Sequence, residues 1–138
     1  MCIEMDHVAL AVNGTLMRGL ELEKNLLNVN AEFVREAKTQ KCYRLWSIRD
    51  KNPAMIRVSP ADTQAVQVDV EIWNVPCAGL AMILAGEPEG LSIGKVPLED
   101  GTTVLGVIGE PALVKGMKEI SQFGGWRRYI ASLRKGDA

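Results

Sequence analysis

The sequence predicts an α+β domain: a small, mixed but mostly antiparallel β-sheet or barrel carrying short helices. Segments of two-residue hydrophobic alternation recur along the chain, helical segments are few and short, and the two kinds do not alternate as they would around a parallel sheet. At 138 residues the chain has the size of one domain, so residues 1–138 are read as a single unit. Its 47% apolar and 24% charged composition is that of an ordinary globular protein.

The first strand spans Ile3 to Val12, with Val8, Leu10 and Val12 on one face and the small Ala9 and Ala11 on the other, where something packs closely. It stops at Asn13-Gly14-Thr15. That set serves either as a tight turn or, through exposed backbone N–H groups, as a loop that holds an anionic ligand. Leu16–Leu27 allows a short helix or an irregular loop. Strands follow around Phe33-Val34, over "CYRLWSI" and over "AMIRVS", with "RDKNP" a polar turn between the last two. In "AVQVDVEIW", Val66, Val68, Val70 and Ile72 alternate with Gln67, Asp69, Glu71 and Trp73, which predicts one core face and one polar face. Pro76 opens a short helix through "CAGLAMILA" that stops near Gly86. Asp100-Gly101 supplies the turn of a hairpin in "SIGKVPLEDGTTVLGVIG". The chain closes with a helix carrying Trp126, Tyr129, Ile130 and Leu133 on one face.

Charge and motifs exclude several functions. With 16 Lys+Arg against 17 Asp+Glu, the net charge of −1 argues against a nucleic-acid or anionic-membrane partner. Cys2, Cys42 and Cys77 form no CxxC pair, so neither a disulfide framework nor a zinc site is expected. Glu4 and Asp6 stand where a secretory signal would need positive and then apolar residues, which predicts a cytoplasmic protein. No window reaches the ~18 apolar residues of a membrane span. His7 is the single histidine, which excludes metal sites built on several imidazoles. No phosphate-binding glycine loop or nucleophile elbow occurs, so no cofactor is expected.

Carboxylates near glycines remain. Glu71 sits mid-strand beside Asp69: a solvated sheet face, or an interior carboxylate if the sheet closes into a barrel. In "AGEPEGL", Glu87 and Glu89 flank Pro88, and a carboxylate in a partly apolar mouth has the raised pKa that suits proton transfer. Arg44, Arg49 and Arg57 are spaced along neighbouring strands, where they serve either as surface salt-bridge partners or to hold a ligand carboxylate.

The order of motifs resembles the C-terminal domain of allophanate hydrolase across nearly the whole chain. It rests on "VALAVNGTLMRGLELEKNL", "AEFVREAKTQKCYRLWSI", "VEIWNVP", "IGKVPLEDGTTVLGVIGEP" and, most specifically, "FGGWRRYIASL". The resemblance implies a γ-glutamylcyclotransferase-like fold with a pocket at one mouth. In that wider family a strand ends in a Tyr-Gly-Ser/Thr-Leu loop, matched here by Asn13-Gly14-Thr15-Leu16, and a strand carries "PA", matched by Pro53-Ala54. A catalytic glutamate precedes a glycine, matched by Glu89-Gly90.

The resemblance thus implies a pocket between residues 13–17, the Tyr43–Trp46 strand, Glu71 and the 87–90 turn. Asn13, Gly14, Thr15, Leu16, Tyr43 and Arg44 would bind a small carboxylate or urea-derived metabolite, and Glu89 or Glu71 would move a proton, as in N-carboxycarbamate decarboxylation. Two alternatives stand beside this. One is an assembly module pairing with an amidase or with itself, which exposed apolar surface around Trp73 or Trp126 would favour. The other is γ-glutamyl cyclotransferase activity, which fits Glu89 but not Asn13, where that activity shows tyrosine.

Overall fold

The computed structural model describes residues 6–136. In chain order the elements are β1 (His7–Val12), α1 (Glu23–Leu27), β2 (Glu32–Lys38), β3 (Tyr43–Ile48), β4 (Asn52–Arg57) and β5 (Asp69–Pro76). Then come α2 (Cys77–Ala85), β6 (Leu91–Pro97), β7 (Thr103–Gly109), the two-residue β8 (Lys118–Glu119) and α3 (Trp126–Gly136). The expected start of the first strand at Ile3, and Cys2, lie outside the described residues.

The strands form two sheets and no closed barrel among the described residues. One has the order β2-β5-β1-β7-β6, the other β4-β3-β8. β1 lies antiparallel to β5 and parallel to β7, while the pairs β2–β5, β6–β7 and β3–β4 are antiparallel. The sheets meet closely between β4 and β7, where a Cβ on Gly109 would stand 2.9 Å from that of Ala54. The β6–β7 turn is built as its sequence suggests: Gly101 takes φ 90°, and the Asp100 carboxylate accepts from the Thr102 N–H (2.9 Å) and hydroxyl (2.6 Å). The last helix buries Trp126 and Tyr129 and turns Arg127 and Arg128 outward, as a 3.6-residue period requires.

One expectation is overturned. The strand drawn over 65–73 runs instead over Asp69–Pro76, and its polar face is not solvated: Glu71 and Trp73 are each 2% exposed. Phe33 packs edge-on to Trp73 at 5.9 Å, and the side chains of Arg18 and Arg127 close over Glu71. Trp126 is likewise buried, so the exposed apolar surface that would favour an assembly module at Trp73 or Trp126 is missing.

Candidate functional site

β1 delivers the chain into the 13–16 loop. Asn13 is 4% exposed and its Nδ2 donates to the Val107 carbonyl at 2.9 Å, so its amide ties the loop to β7. Gly14 lies against Pro53, where a Cβ would fall 2.6 Å from the proline Cδ; only glycine allows that approach. The Gly14 and Thr15 carbonyls accept from the Met17 and Leu22 N–H groups at 3.0 and 2.9 Å. No residue among those described accepts from the N–H of Gly14, Thr15 or Leu16. With Asn52, Pro53, Glu87, Leu91 and Val107, residues Val12–Leu16 enclose a cavity of about 10 Å³, room for one water.

Glu87 reaches this cavity because α2 ends at Gly86, and the turn that follows, with the Glu87 N–H donating to the Leu84 carbonyl at 3.1 Å, folds back over the loop. The side chain is half-buried, and burial pushes its carboxyl up to about 7. Glu89 is exposed and lines a different, open groove with Arg49, Lys51, Asn52 and Glu110. The structure therefore gathers Asn13, Gly14, Thr15 and Leu16 around Glu87, with Glu89 on the outer side of the same turn. Both glutamates flank Pro88 in the sequence; which one turns inward depends on the helix end.

Glu71 stands elsewhere, beside a second groove of about 450 Å³ lined also by Lys38, Asp69, Trp126, Arg127 and Arg128. Burial alone would raise its pKa, but its carboxylate accepts from the Arg18 N–H (2.9 Å), Arg127 Nη2 (3.0 Å), Trp73 Nε1 (3.2 Å) and Arg18 Nε (3.2 Å). These bonds hold it below the usual carboxylate range. Glu71 is ionised at neutral pH and has no proton to give. Neither Tyr43 nor Arg44 joins the loop. Tyr43 is fully buried, its hydroxyl pushed up to about 12 mainly by that burial, and Arg44 pairs with Glu119 and, at 3.5 Å, with Asp62. His7 is exposed at the start of β1. Among the described residues no group of His, Cys, Asp and Glu is disposed to hold a metal, and no helix is long and apolar enough to cross a membrane.

The model of the allophanate hydrolase C-terminal domain family matches residues 8–131. The chain belongs to that family. Among its relatives, the urea amidolyase of Saccharomyces cerevisiae is 33% identical over 134 residues, 93% of this chain and 7% of that protein. A solved uropathogenic E. coli-specific protein is 51% identical at a TM-score of 0.88, covering 92% of this chain and 98% of that one. Kluyveromyces lactis allophanate hydrolase is 32% identical at 0.86, covering 93% of this chain and 22% of that one. The chain thus spans less than a tenth of the length of the yeast urea amidolyase. A gamma-glutamyl cyclotransferase at TM-score 0.51 and 16% identity shares the fold alone.

Proposed function

We propose that the chain is a small-molecule-acting domain in which Glu87 delivers a proton to a small carbamate-like carboxylate at the Asn13–Leu16 loop. The observation that carries this reading is Glu87 itself, set against that loop with a carboxyl near pH 7, where both of its protonation states are populated. The unpaired N–H groups of Gly14, Thr15 and Leu16 are donors for a carboxylate or its developing charge, and because the cavity has room for one water, the turn that carries Glu87 moves outward to admit the substrate. For an N-carboxycarbamate the Glu87 proton passes to the nitrogen. The bond from nitrogen to the departing carboxyl carbon breaks, its electron pair stays on nitrogen, and carbon dioxide leaves. Water then returns the proton to Glu87.

The test measures carbon dioxide release from N-carboxycarbamate made in place by an amidase without its own C-terminal domain. Glu87→Gln should lower the acceleration by about 100-fold or more, as the loss of a positioned acid does, while Glu89→Gln leaves it. Unchanged turnover in Glu87→Gln would sink the assignment.

A further inference from the structure

We propose that the open groove between the β3–β4 turn and the 88–90 turn is an anchoring site for a small amino-acid-type zwitterion. In it Arg49 and Lys51 hold a carboxylate and Glu89 and Glu110 hold the cationic end.

The groove has a volume of about 450 Å³, enough for a metabolite of a few heavy atoms to about twenty. Arg49 and Lys51 line it from the β3–β4 side, and Glu89 and Glu110 from the turns that flank β6 and β7. Among the described residues none of these four charges has an ion-pair or hydrogen-bonded side-chain partner. The groove beside Glu71 is the internal comparison. There Arg35 pairs with Asp100 at 3.2 Å, Arg127 with Glu71 at 3.0 Å and Arg128 with Asp69 at 3.2 Å, and of the charges that line it Lys38 alone among the described residues is left without a partner. Two equal grooves differ in whether their charges are left for a ligand.

The cationic wall is also held in shape. Arg49 and Asp50 both adopt left-handed backbone, φ 55° and 59°, which non-glycine residues keep only where their surroundings impose it. Here the Asp50 carboxylate accepts from the Tyr129 hydroxyl at 2.6 Å and the Ser47 hydroxyl at 2.7 Å. The Asp50 N–H donates back to Ser47 Oγ at 3.0 Å, and the Lys51 N–H to the Ile48 carbonyl at 3.0 Å. A turn fixed this way presents Arg49 and Lys51 with little ordering cost on binding. Opposite signs face the ligand from the two sides, so a dianion meets Glu89 and Glu110 and a simple cation meets Arg49 and Lys51. Asn52, 7% exposed, lines this groove and the Glu87 cavity alike. The inference goes beyond the proton-transfer reading: N-carboxycarbamate is a dianion that this groove disfavours, so the zwitterion is a separate ligand held beside the Glu87 cavity.

The experiment is a titration of the full chain followed by amide chemical shifts, with γ-aminobutyrate and guanidinoacetate as the two cation-bearing probes and malonate and urea as controls. Saturable shifts confined to residues 48–52, 88–90 and 110–113 for at least one zwitterion, and none for malonate or urea, are expected. Arg49→Gln and Glu110→Gln should each weaken binding about tenfold, the loss of one charge-assisted contact. Tyr129→Phe should weaken it through the turn alone, with the shifts of residues 48–51 displaced before any ligand is added. No saturable binding, equal affinity in Arg49→Gln, tighter binding of malonate, or shifts centred on Glu71 would each overturn the proposal. Glu87→Gln separates the two readings: it should keep the binding while losing the chemistry, so failure of proton transfer leaves the anchoring site standing.

Discussion

Glu71 and Glu87 show how one residue type takes opposite roles under opposite surroundings. Four donors converge on Glu71 and keep it charged; Glu87 meets burial with no compensating donor, and its carboxyl rises. Stability against pH should separate them. For Glu87 the folded value, about 7, lies above the ordinary 4.5, so its contribution is full below about pH 4.5 and is lost as pH rises to 7. Glu87→Gln should therefore match the wild type near pH 4 and exceed it at pH 8 by up to about 3 kcal/mol, read by urea unfolding. For Glu71 the folded value lies below 4.5, so its contribution is present above that pH and lost in acid. Glu71→Gln should be the less stable protein at pH 8 and approach the wild type in strong acid. A Glu87→Gln protein that gains nothing at pH 8 would show that its carboxyl is not held protonated. Such a gain on removing the proposed acid is what a site that trades stability for chemistry predicts.

At the scale of elements, the 13–16 loop keeps its shape through one close approach. Gly14→Ala would drive a Cβ to 2.6 Å from the Pro53 ring and 2.8 Å from its Cγ, so β4 or the loop must shift. The expected cost is about 1–3 kcal/mol, read by urea unfolding, and a distorted cavity should slow turnover beyond what the stability loss explains. A variant as stable and active as the wild type would mean that the loop moves freely. Most elements were legible in the chain: the Asp100-Gly101 turn, the helix after Pro76 and the amphipathic last helix all rest on local chemistry. What stayed hidden is non-local. The burial of Glu71 depends on Arg18 and Arg127, 53 and 56 residues away along the chain, so its strand reads as half-solvated. Lys51 and Asn52 carry no pattern beyond a polar turn, and the left-handed Arg49-Asp50 pair lacks the Asn-Gly signature of such turns because Tyr129, 79 residues on from Asp50, holds it instead. The loop at 13–16 and the acidic turn were both visible; which glutamate faces inward was not.

At the scale of the whole molecule, the question is what its edges and exposed apolar side chains offer a second chain. β2, at one edge of the five-stranded sheet, carries Glu32, Arg35, Glu36 and Lys38 and breaks register between Phe33 and Arg35, features that oppose edge-to-edge pairing. Its large exposed apolar side chains, Leu27, Val34, Met82 and Leu84, are divided among α1, β2 and α2, and both Trp73 and Trp126 are interior. A stable interface needs about 800 Å² from each partner with an apolar centre, and the two large indoles that could supply one are interior. We therefore expect a monomer by light scattering at micromolar concentration, alone and when mixed with an amidase that lacks this domain. Transfer between them would then be diffusive. N-carboxycarbamate released by the amidase would be captured in competition with its spontaneous breakdown, so acceleration of carbon dioxide release should rise in proportion to added chain and pass through one equivalent without a break. Saturation at one equivalent, together with a co-eluting complex that Met82→Lys or Val34→Lys disperses, would show instead that the substrate is handed over within an assembly.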